Sequence, residues 1–516
     1  WVIDNILNYK NTFGKHTIDL TAVATRDRKS YKEIITTGTD FAANGNTTLG
    51  LNGLHKATVQ KIDMNNNRRS NIGYLGRASY SFDDRYFLTG SYRRDGASVF
   101  GANQKWGDFF AFGAAWRMTG EKFMEPVSFL DDLKLKLSWG KNGNQGLDPY
   151  GTLSTINNGS SGGVRYEFGG SDIIYGLNQK ALGNANLGWE STESWNTGFE
   201  SAWLGNRLFV DLDLYFSKTT DQIFTRDIPV MTGFKNIKSS MGQVNNKGVE
   251  LTVRSVNITT QDWYWTTSVT FWLNRNKLTH LYGEDLNGDG KEDDDISNSR
   301  FIGKPLGAIY GYQQDGIVQE TDVDYMEANG ATAGIPKYKD LDGDGVITSA
   351  DRTILGYTTP NFKLNMSNTV TYKNWDLYFM LTGTFGGGGY YMKSNTSAYM
   401  TNGSGLFNSN GIYIPWWTPE NKSNVYPSAT FSGDGGRYQG LQNRAFVRLQ
   451  DVTLSYTFRE PWVKKMLINN LKVFFTAKNL LTITNWEGGD PEVGVTVGAN
   501  TYPVLTSFSL GANISF

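Results

Sequence analysis

The last ten residues, SFSLGANISF (507–516), alternate almost without error. Phe508, Leu510, Ala512, Ile514 and Phe516 fall on one side, and Ser509, Gly511, Asn513 and Ser515 on the other. A period of two is the signature of a strand with one oily and one polar face. Working back from this end, the same pattern recurs. DDLKLKLSWG (131–140) sets Leu133, Leu135, Leu137 and Trp139 against Lys134, Lys136 and Ser138. RLFVDLDLYFSK (207–218) sets Leu208, Val210, Leu212, Leu214 and Phe216 against Asp211 and Asp213, and VTLSYTF (452–458) repeats it. A soluble β-sandwich also alternates, but its strands usually run about 5–6 residues. Alternation here often persists for about ten residues, the length of a tilted strand that crosses a bilayer. The fold class that follows is all-β, a transmembrane antiparallel β-barrel with its apolar face toward lipid. Asp211 and Asp213 then face a wet interior, where their charge is not penalised by hydrocarbon.

Composition agrees. Glycine is 59 of 516 residues and proline 12, a balance suited to many strands and many reversals. Aromatics make up 14%, as expected where Trp and Tyr ring a membrane interface. No apolar run is long enough for a transmembrane helix. The 49 basic and 50 acidic residues nearly cancel, giving no signal for nucleic acid. There is no cysteine, and His16, His55 and His280 are scattered. Thiol chemistry therefore has no residue to work with, metalloenzyme and triad chemistry are poor bets, and an enzyme is not expected.

Short reversals are expected near 13–16, 83–85, 204–206, 259–262 and 373–375. Long polar segments are expected at roughly 27–69, 141–192, 278–361 and 388–443. Their alternation matches periplasmic turns and extracellular loops, and about fifteen strands result. An odd, open sheet in hydrocarbon would leave two edges unpaired, so further strands are expected to close it. The chain opens on Trp1 with no signal peptide, and an upstream portion is likewise expected.

Two loops carry possible metal chemistry. In DLDGDGVITSAD (340–351), Asp340, Asp342 and Asp344 alternate, Gly345 is sixth, Val346 offers a carbonyl at seventh, and Asp351 is twelfth. These are the positions from which an EF-hand-type loop wraps Ca²⁺ in oxygen. EDLNGDGKEDDDIS (284–297) repeats the first half with Asp285, Asn287, Asp289, Lys291 at the carbonyl position, and Asp293. Its twelfth residue, Ile296, cannot ligate by its side chain, although Asp293, Asp294 and Asp295 are nearby, so a polar turn without an ion fits it slightly better. The expected role is structural, a staple within one extracellular excursion, since no helix–loop–helix pattern flanks either copy. The aromatic pairs Tyr390/Tyr391 and Trp416/Trp417 are candidates for contact with substrate or with a covering protein. Packing within the loop is the competing reading.

Taken as a set, several segments resemble the SusC/RagA-type TonB-dependent transporters of Bacteroidetes outer membranes. They include RYFLTGSYRRDGASVFGANQKWGDFFAFGAAWRMTGEKFM (85–124), LGWESTESWNTGFESAWLGNRLFVDLDLYFSKTTDQIF (187–224) and MGQVNNKGVELTV (241–253). GKPLGAIYGYQQDGI (303–317), the stretch 340–380, NRAFVRLQDVTLSYTF (443–458) and LKVFFTAKNLLTITNWEGGDPEVG (471–494) complete the set, in the family's order. The resemblance implies a 22-strand barrel of which residues 1–516 form the C-terminal part. The plug, the TonB-binding segment and the first strands would lie outside this chain. It implies location in a Gram-negative outer membrane among lipid, a SusD-like lipoprotein partner, energy from the TonB complex, and a glycan or peptide cargo. A passive porin and a surface-adhesion barrel are the alternatives.

Overall fold

A computed structural model describes residues 1–41, 50–157, 165–166, 174–389, 415–429, 431, 441–486, 490–492 and 504–516. Its main element is one antiparallel sheet of fifteen strands, in chain order from edge to edge. They are Val2–Phe13, His16–Thr39, Val59–Phe82, Tyr86–Ala97, Trp106–Arg117, Leu130–Asn144, Glu190–Trp203, Leu208–Asp227, Asn236–Thr259, Trp263–His280, Phe362–Tyr372, Trp375–Phe385, Phe446–Phe458, Asn470–Thr484 and Ser507–Ser515. Every neighbour in the sheet is also the next long strand in sequence, so the topology is up-and-down throughout. Among the described residues the first strand pairs only with the second, and the last only with the one before it. Among the described residues no helix is long and apolar enough to cross a membrane.

Period two in each strand becomes a band across the sheet because the registers align. Trp265, Val370, Leu377, Leu454, Phe475 and Leu510 are successive cross-strand partners over six strands. Their neighbours one residue away, Thr266, Thr369, Tyr378, Thr453, Thr476 and Ser509, form a polar band on the opposite face. The Thr453 and Thr476 hydroxyls meet at 2.9 Å. The apolar band is not covered: Trp265, Leu454, Phe475 and Leu510 are all exposed. An apolar face left open over many strands belongs against hydrocarbon.

One set of connections is short: 14–15, 83–85, 118–129, 204–207, 260–262, 373–374 and 459–469. Beside these turns the register lines up aromatic rings. Phe13, His16, Phe82, Tyr86 and Trp116 are successive partners, and so are Trp263, Tyr372, Trp375 and Tyr456. Rings of Trp263 and Tyr372 lie 4.4 Å apart, and those of Trp375 and Tyr456 4.8 Å. Such rows are the girdle that marks a bilayer interface. At the turn 83–85, Asp83 and Asp84 both take positive φ, the geometry that suits a tight hairpin. Lys15 at 3.0 Å and Arg85 pair with Asp83 and hold its carboxyl below the usual carboxylate range.

The opposite connections are 40–58, 98–105, 145–189, 228–235, 281–361, 386–445 and 485–506. One expectation fails here. Residues 27–69 are not a long loop: the second and third strands stay in register from His16↔Phe82 to Thr39↔Val59. Lys32 faces Asn66 and Glu33 faces Asn65, so the ladder continues where neither face is consistently apolar. Backbone hydrogen bonds and β-branched residues such as Ile34, Ile35 and Ile62 suffice beyond the hydrocarbon, where no oily face is required.

By packing, the described chain divides into two compact units. One comprises Trp1–Gly120, Lys136–Asn196 and Ser217–Val244, and its core is Ala97, Val99, Phe100, Leu147 and Leu187, with Trp189 and Ile223 against it. The other comprises Glu121–Leu135, Thr197–Phe216 and Asn245–Phe516. Its most buried apolar residues, Leu278, Leu281, Ile317 and Val318, sit at or beyond the strand ends, in the excursion 281–361 and its approach.

Candidate functional site

The excursion 281–361 is a folded layer. Two short antiparallel pairs, Ala308–Tyr312 with Arg352–Tyr357 and Gln314–Ile317 with Pro336–Tyr338, frame a helix at Val323–Asn329. Lys337 pairs with Asp322 at 2.8 Å just ahead of this helix, and the Tyr325 hydroxyl accepts the Tyr338 N–H at 3.0 Å. The loop 340–351 leaves from this frame.

Its carboxylates are spent on its own backbone in a fixed order. Asp340 accepts N–H groups from Gly343 at 2.6 Å and Gly345 at 2.7 Å, and Asp344 accepts from Val346 at 2.8 Å. Asp351 is fully buried and accepts from Leu341 and Thr348, both at 2.7 Å. Gly345, at the sixth position, has φ +86°, which a side chain would resist. The result brings carboxylate oxygens of Asp340, Asp342 and Asp351 within 4.8 Å of one another. Asp344 lies outside that triple, although its spacing predicts a ligand.

Electrostatics sort the three. The N–H groups of Thr348 and Leu341 hold Asp351 below the usual carboxylate range. Asp342 goes the other way. The Asp344 N–H pulls it down, but desolvation and the neighbouring Asp344, Asp351 and Asp340 carboxyls raise it on balance. A close group of carboxyls with one of them raised is a set of like charges lacking a counter-charge. The oxygen-only donor set fits a hard cation of the calcium type.

The second loop repeats the turns but not the cluster. Asp285 accepts from Gly288, Asp289 and Gly290, Asn287 from Asp289, and Asp289 from Lys291. Asp293 accepts the Leu286 N–H at 2.6 Å, the bond Asp351 makes with Leu341, but it also takes the Asn287 amide at 2.8 Å. An amide donor thus stands where a cation would bridge. Nearby, burial pushes the Tyr282 hydroxyl up to about 12, helped by its hydrogen bond to Asp295. Burial would raise Glu292, but N–H groups of Gly283 and Leu281 and the His280 ring outweigh it and hold the carboxyl low.

The two tryptophans have different surroundings. Trp417 is buried, its Nε1 donating to Gln319 Oε1 at 3.0 Å and its ring filling the space beside Gly334. Around it Asn424 accepts the Ile317 N–H at 2.9 Å, and Lys422 pairs with Glu320 at 2.9 Å. This ring joins one excursion to the other and presents no open face. Trp416 is half-buried and meets Tyr426 edge-on at 6.4 Å. Tyr390 and Tyr391 lie outside the described residues.

Sequence reasoning missed Arg448. Its buried guanidinium takes Asp490 with two bonds of 2.9 Å, Glu492 at 2.7 Å and Thr482 at 3.0 Å. Arg444 adds bonds to the Pro491 carbonyl at 3.0 and 2.8 Å. The signal was present as a lone Arg inside the apolar run AFVRL (445–449) and two acids in GGDPE (488–492).

The sequence model of the family described as "TonB dependent receptor-like, beta-barrel" matches residues 1–480. The TonB-dependent receptor P3 of Formosa agariphila is 28% identical over 536 aligned positions, covering 99% of this chain and 52% of that protein. The TonB-dependent receptor SusC of Bacteroides thetaiotaomicron is 29% identical, covering 90% and 45%. Among solved structures, the RagAB peptide importer in its "open-open" state superposes with a TM-score of 0.77 at 24% identity. It covers 100% of this chain and 54% of the matched one, a likeness of fold. The chain spans about half the length of the curated relatives it matches.

Proposed function

This chain belongs to the TonB-dependent receptor-like β-barrel family, is of the SusC/RagA type and resides in the outer membrane, and from that premise we propose that it serves active import. The cargo is an oligosaccharide or peptide, TonB supplies the energy, and a SusD-like lipoprotein works with it at the surface. The family is one of receptors and transporters, and no catalytic role is assigned to any residue. The observation carrying this reading is the family match over residues 1–480, which runs through strands and excursions alike.

We further propose that residues 1–516 are the C-terminal part of the barrel. Among the described residues the first and last strands have no outer partner, which supports this, because backbone groups left unpaired in hydrocarbon cost several kcal/mol each. Each edge takes a further strand in the whole protein. The long excursions face the cell exterior and the aromatic-flanked short turns face the periplasm. Residues 340–351 hold a structural Ca²⁺ through Asp340, Asp342 and Asp351, with Asp344 and the Val346 carbonyl completing the shell. The ion neutralises the three carboxylates and stiffens the excursion.

The test is a chromosomal deletion with uptake and growth measured on separate glycan and peptide sources, paired with affinity isolation of the full-length protein. Loss of uptake that also requires TonB, and recovery of a surface lipoprotein, are the expected results. TonB-independent passage would instead mark a porin. Unaltered uptake with lost surface attachment would mark an adhesin.

A further inference from the structure

A cavity of about 410 Å³ opens in the first unit, in the size range of small-molecule sites. Its floor is the turn after the strand Tyr86–Ala97, where Val99 and Phe100 are buried. The Phe100 ring lies 4.7 Å from that of Trp189. This floor is rigid. Gly101 donates to the Leu187 carbonyl at 2.9 Å, and a Cβ on it would come within 2.1 Å of the Ala185 carbonyl oxygen.

Among the described residues two cations, Arg68 and Lys105, line the cavity, and no carboxylate does. Neither side chain makes an ion pair or hydrogen bond among the described residues. A third guanidinium is close by, since Arg28 Nε donates to the hydroxyl of Ser70, another lining residue, at 3.3 Å. Tyr150 stands at the rim, half exposed, with φ +66°. A bulky residue held in the left-handed region is strained, and such strain collects at ligand clamps.

We propose that this cavity binds the free C-terminal end of a short peptide whose last side chain is apolar; the proposal rests on the import reading above. The carboxylate lies between Arg68 and Lys105, the side chain covers Val99 and Phe100, and Tyr150 closes over it. An acidic sugar supplies the same anion, but each ring hydroxyl needs a hydrogen-bonding partner. The buried Val99 and Phe100 offer carbon, and of the lining hydroxyls Ser98 already accepts the Ser70 N–H at 2.9 Å and Ser70 the Arg28 guanidinium at 3.3 Å, which leaves few partners for a sugar. A charge-assisted pair with an apolar residue beside it matches what is there.

The experiment is calorimetric titration of the full-length protein in detergent with the tripeptide Gly-Gly-Leu as free acid, with its C-terminal amide, and with trigalacturonate. The free acid binds saturably, and the amide binds about 10-fold more weakly or worse. Arg68→Gln and Lys105→Gln each weaken the acid by about the same factor and leave the amide unchanged. Both side chains are solvent-exposed, and retained heat-modifiable migration confirms that the variants fold. Equal binding of acid and amide, tighter binding of trigalacturonate, no saturable binding of the acid, or indifference to both substitutions overturns the proposal. Uptake of the same peptide separates the two claims. Binding without uptake breaks the import reading and leaves this site standing, whereas uptake unaltered by both substitutions breaks only this site.

Discussion

The strand Phe446–Phe458 and the excursion 281–361 are built from similar residues turned in opposite directions. In the strand, Leu454 points away from the protein and stays exposed, while Thr453 on the other face meets Thr476. In the excursion and its approach, Leu278, Leu281, Ile317 and Val318 turn inward and are almost completely buried. The same apolar side chains serve as a lipid-facing skin in one place and as a water-excluding core in the other. A protein whose oily residues are outside on the strands of its sheet and inside in its loops is organised by two solvents. The border between them is marked by aromatic rows at the short turns and by buried ionic contacts near the long connections.

The largest way to break this contrast is at Arg448. Asp490→Asn takes the buried counter-charge from the Arg448 guanidinium and leaves it the more exposed Glu492, and is expected to cost about 1.5–3 kcal/mol. Hydrogen exchange over 441–486 in the full-length protein should rise well above that of the excursion 281–361. Adding Arg448→Met to Asp490→Asn, so that neither buried charge remains, should recover much of the loss. Equal protection in Asp490→Asn and the parent would remove Arg448 from the border.

Next in size is the skin itself. Leu454→Arg, two residues in from the interfacial Tyr456, is expected to cost about 1–2 kcal/mol in a bilayer, between the interface and midplane costs, whereas Thr453→Arg, one residue away on the polar face, costs much less. Urea titration of the protein folded in lipid vesicles reads this difference. Equal costs would mean that the sheet does not separate two solvents.

Calcium should act on the loops and not on the sheet. Added Ca²⁺ is expected to slow protease cleavage within 281–361, and chelator to reverse this, with no change in urea stability of the strands. Asp342→Asn should abolish the response and also make the chelated loop more resistant, because it removes the charge that the neighbouring carboxyls oppose. A response to Ca²⁺ that survives this change would place the ion elsewhere.

The smallest effect is that of pH without added cation. Asp351 and Glu292 are held below the ordinary carboxylate range. The stability they contribute is therefore complete above that range and is lost as pH falls through their lowered values. Asp342 is raised, so its contribution runs the other way, present below the ordinary range and lost as pH rises through its raised value. Followed upward from pH 3, resistance of the excursion to proteolysis should first rise as Asp351 and Glu292 ionise and then fall as Asp342 does, and Asp342→Asn should flatten that second limb.

The sheet was legible because period two needs only neighbouring residues, and SFSLGANISF states it in a single strand. Strand number followed from the reversals and is confirmed at fifteen. The extension of the second and third strands was hidden because polar alternation on both faces looks like a loop when no solvent boundary is in view. The metal loop was legible by spacing, yet which three carboxyls converge depends on how the chain closes on Asp351. Arg448 and the cavity at Phe100 join residues tens of positions apart; a lone Arg in AFVRL marks a charge needing a partner, but local sequence does not say which acid meets it, nor what meets Phe100.

The central claim, that the sheet has one face in lipid and one in water, has a direct test. The 516 residues contain no cysteine, so single cysteines can be introduced without removing any from this chain. Nitroxide labels placed in turn at residues 452–456 of the full-length protein in vesicles are compared for collision with oxygen and with a polar nickel chelate. The account predicts oxygen-rich, nickel-poor labels at 452, 454 and 456 and the reverse at 453 and 455. A flat profile, or the opposite parity, would contradict it.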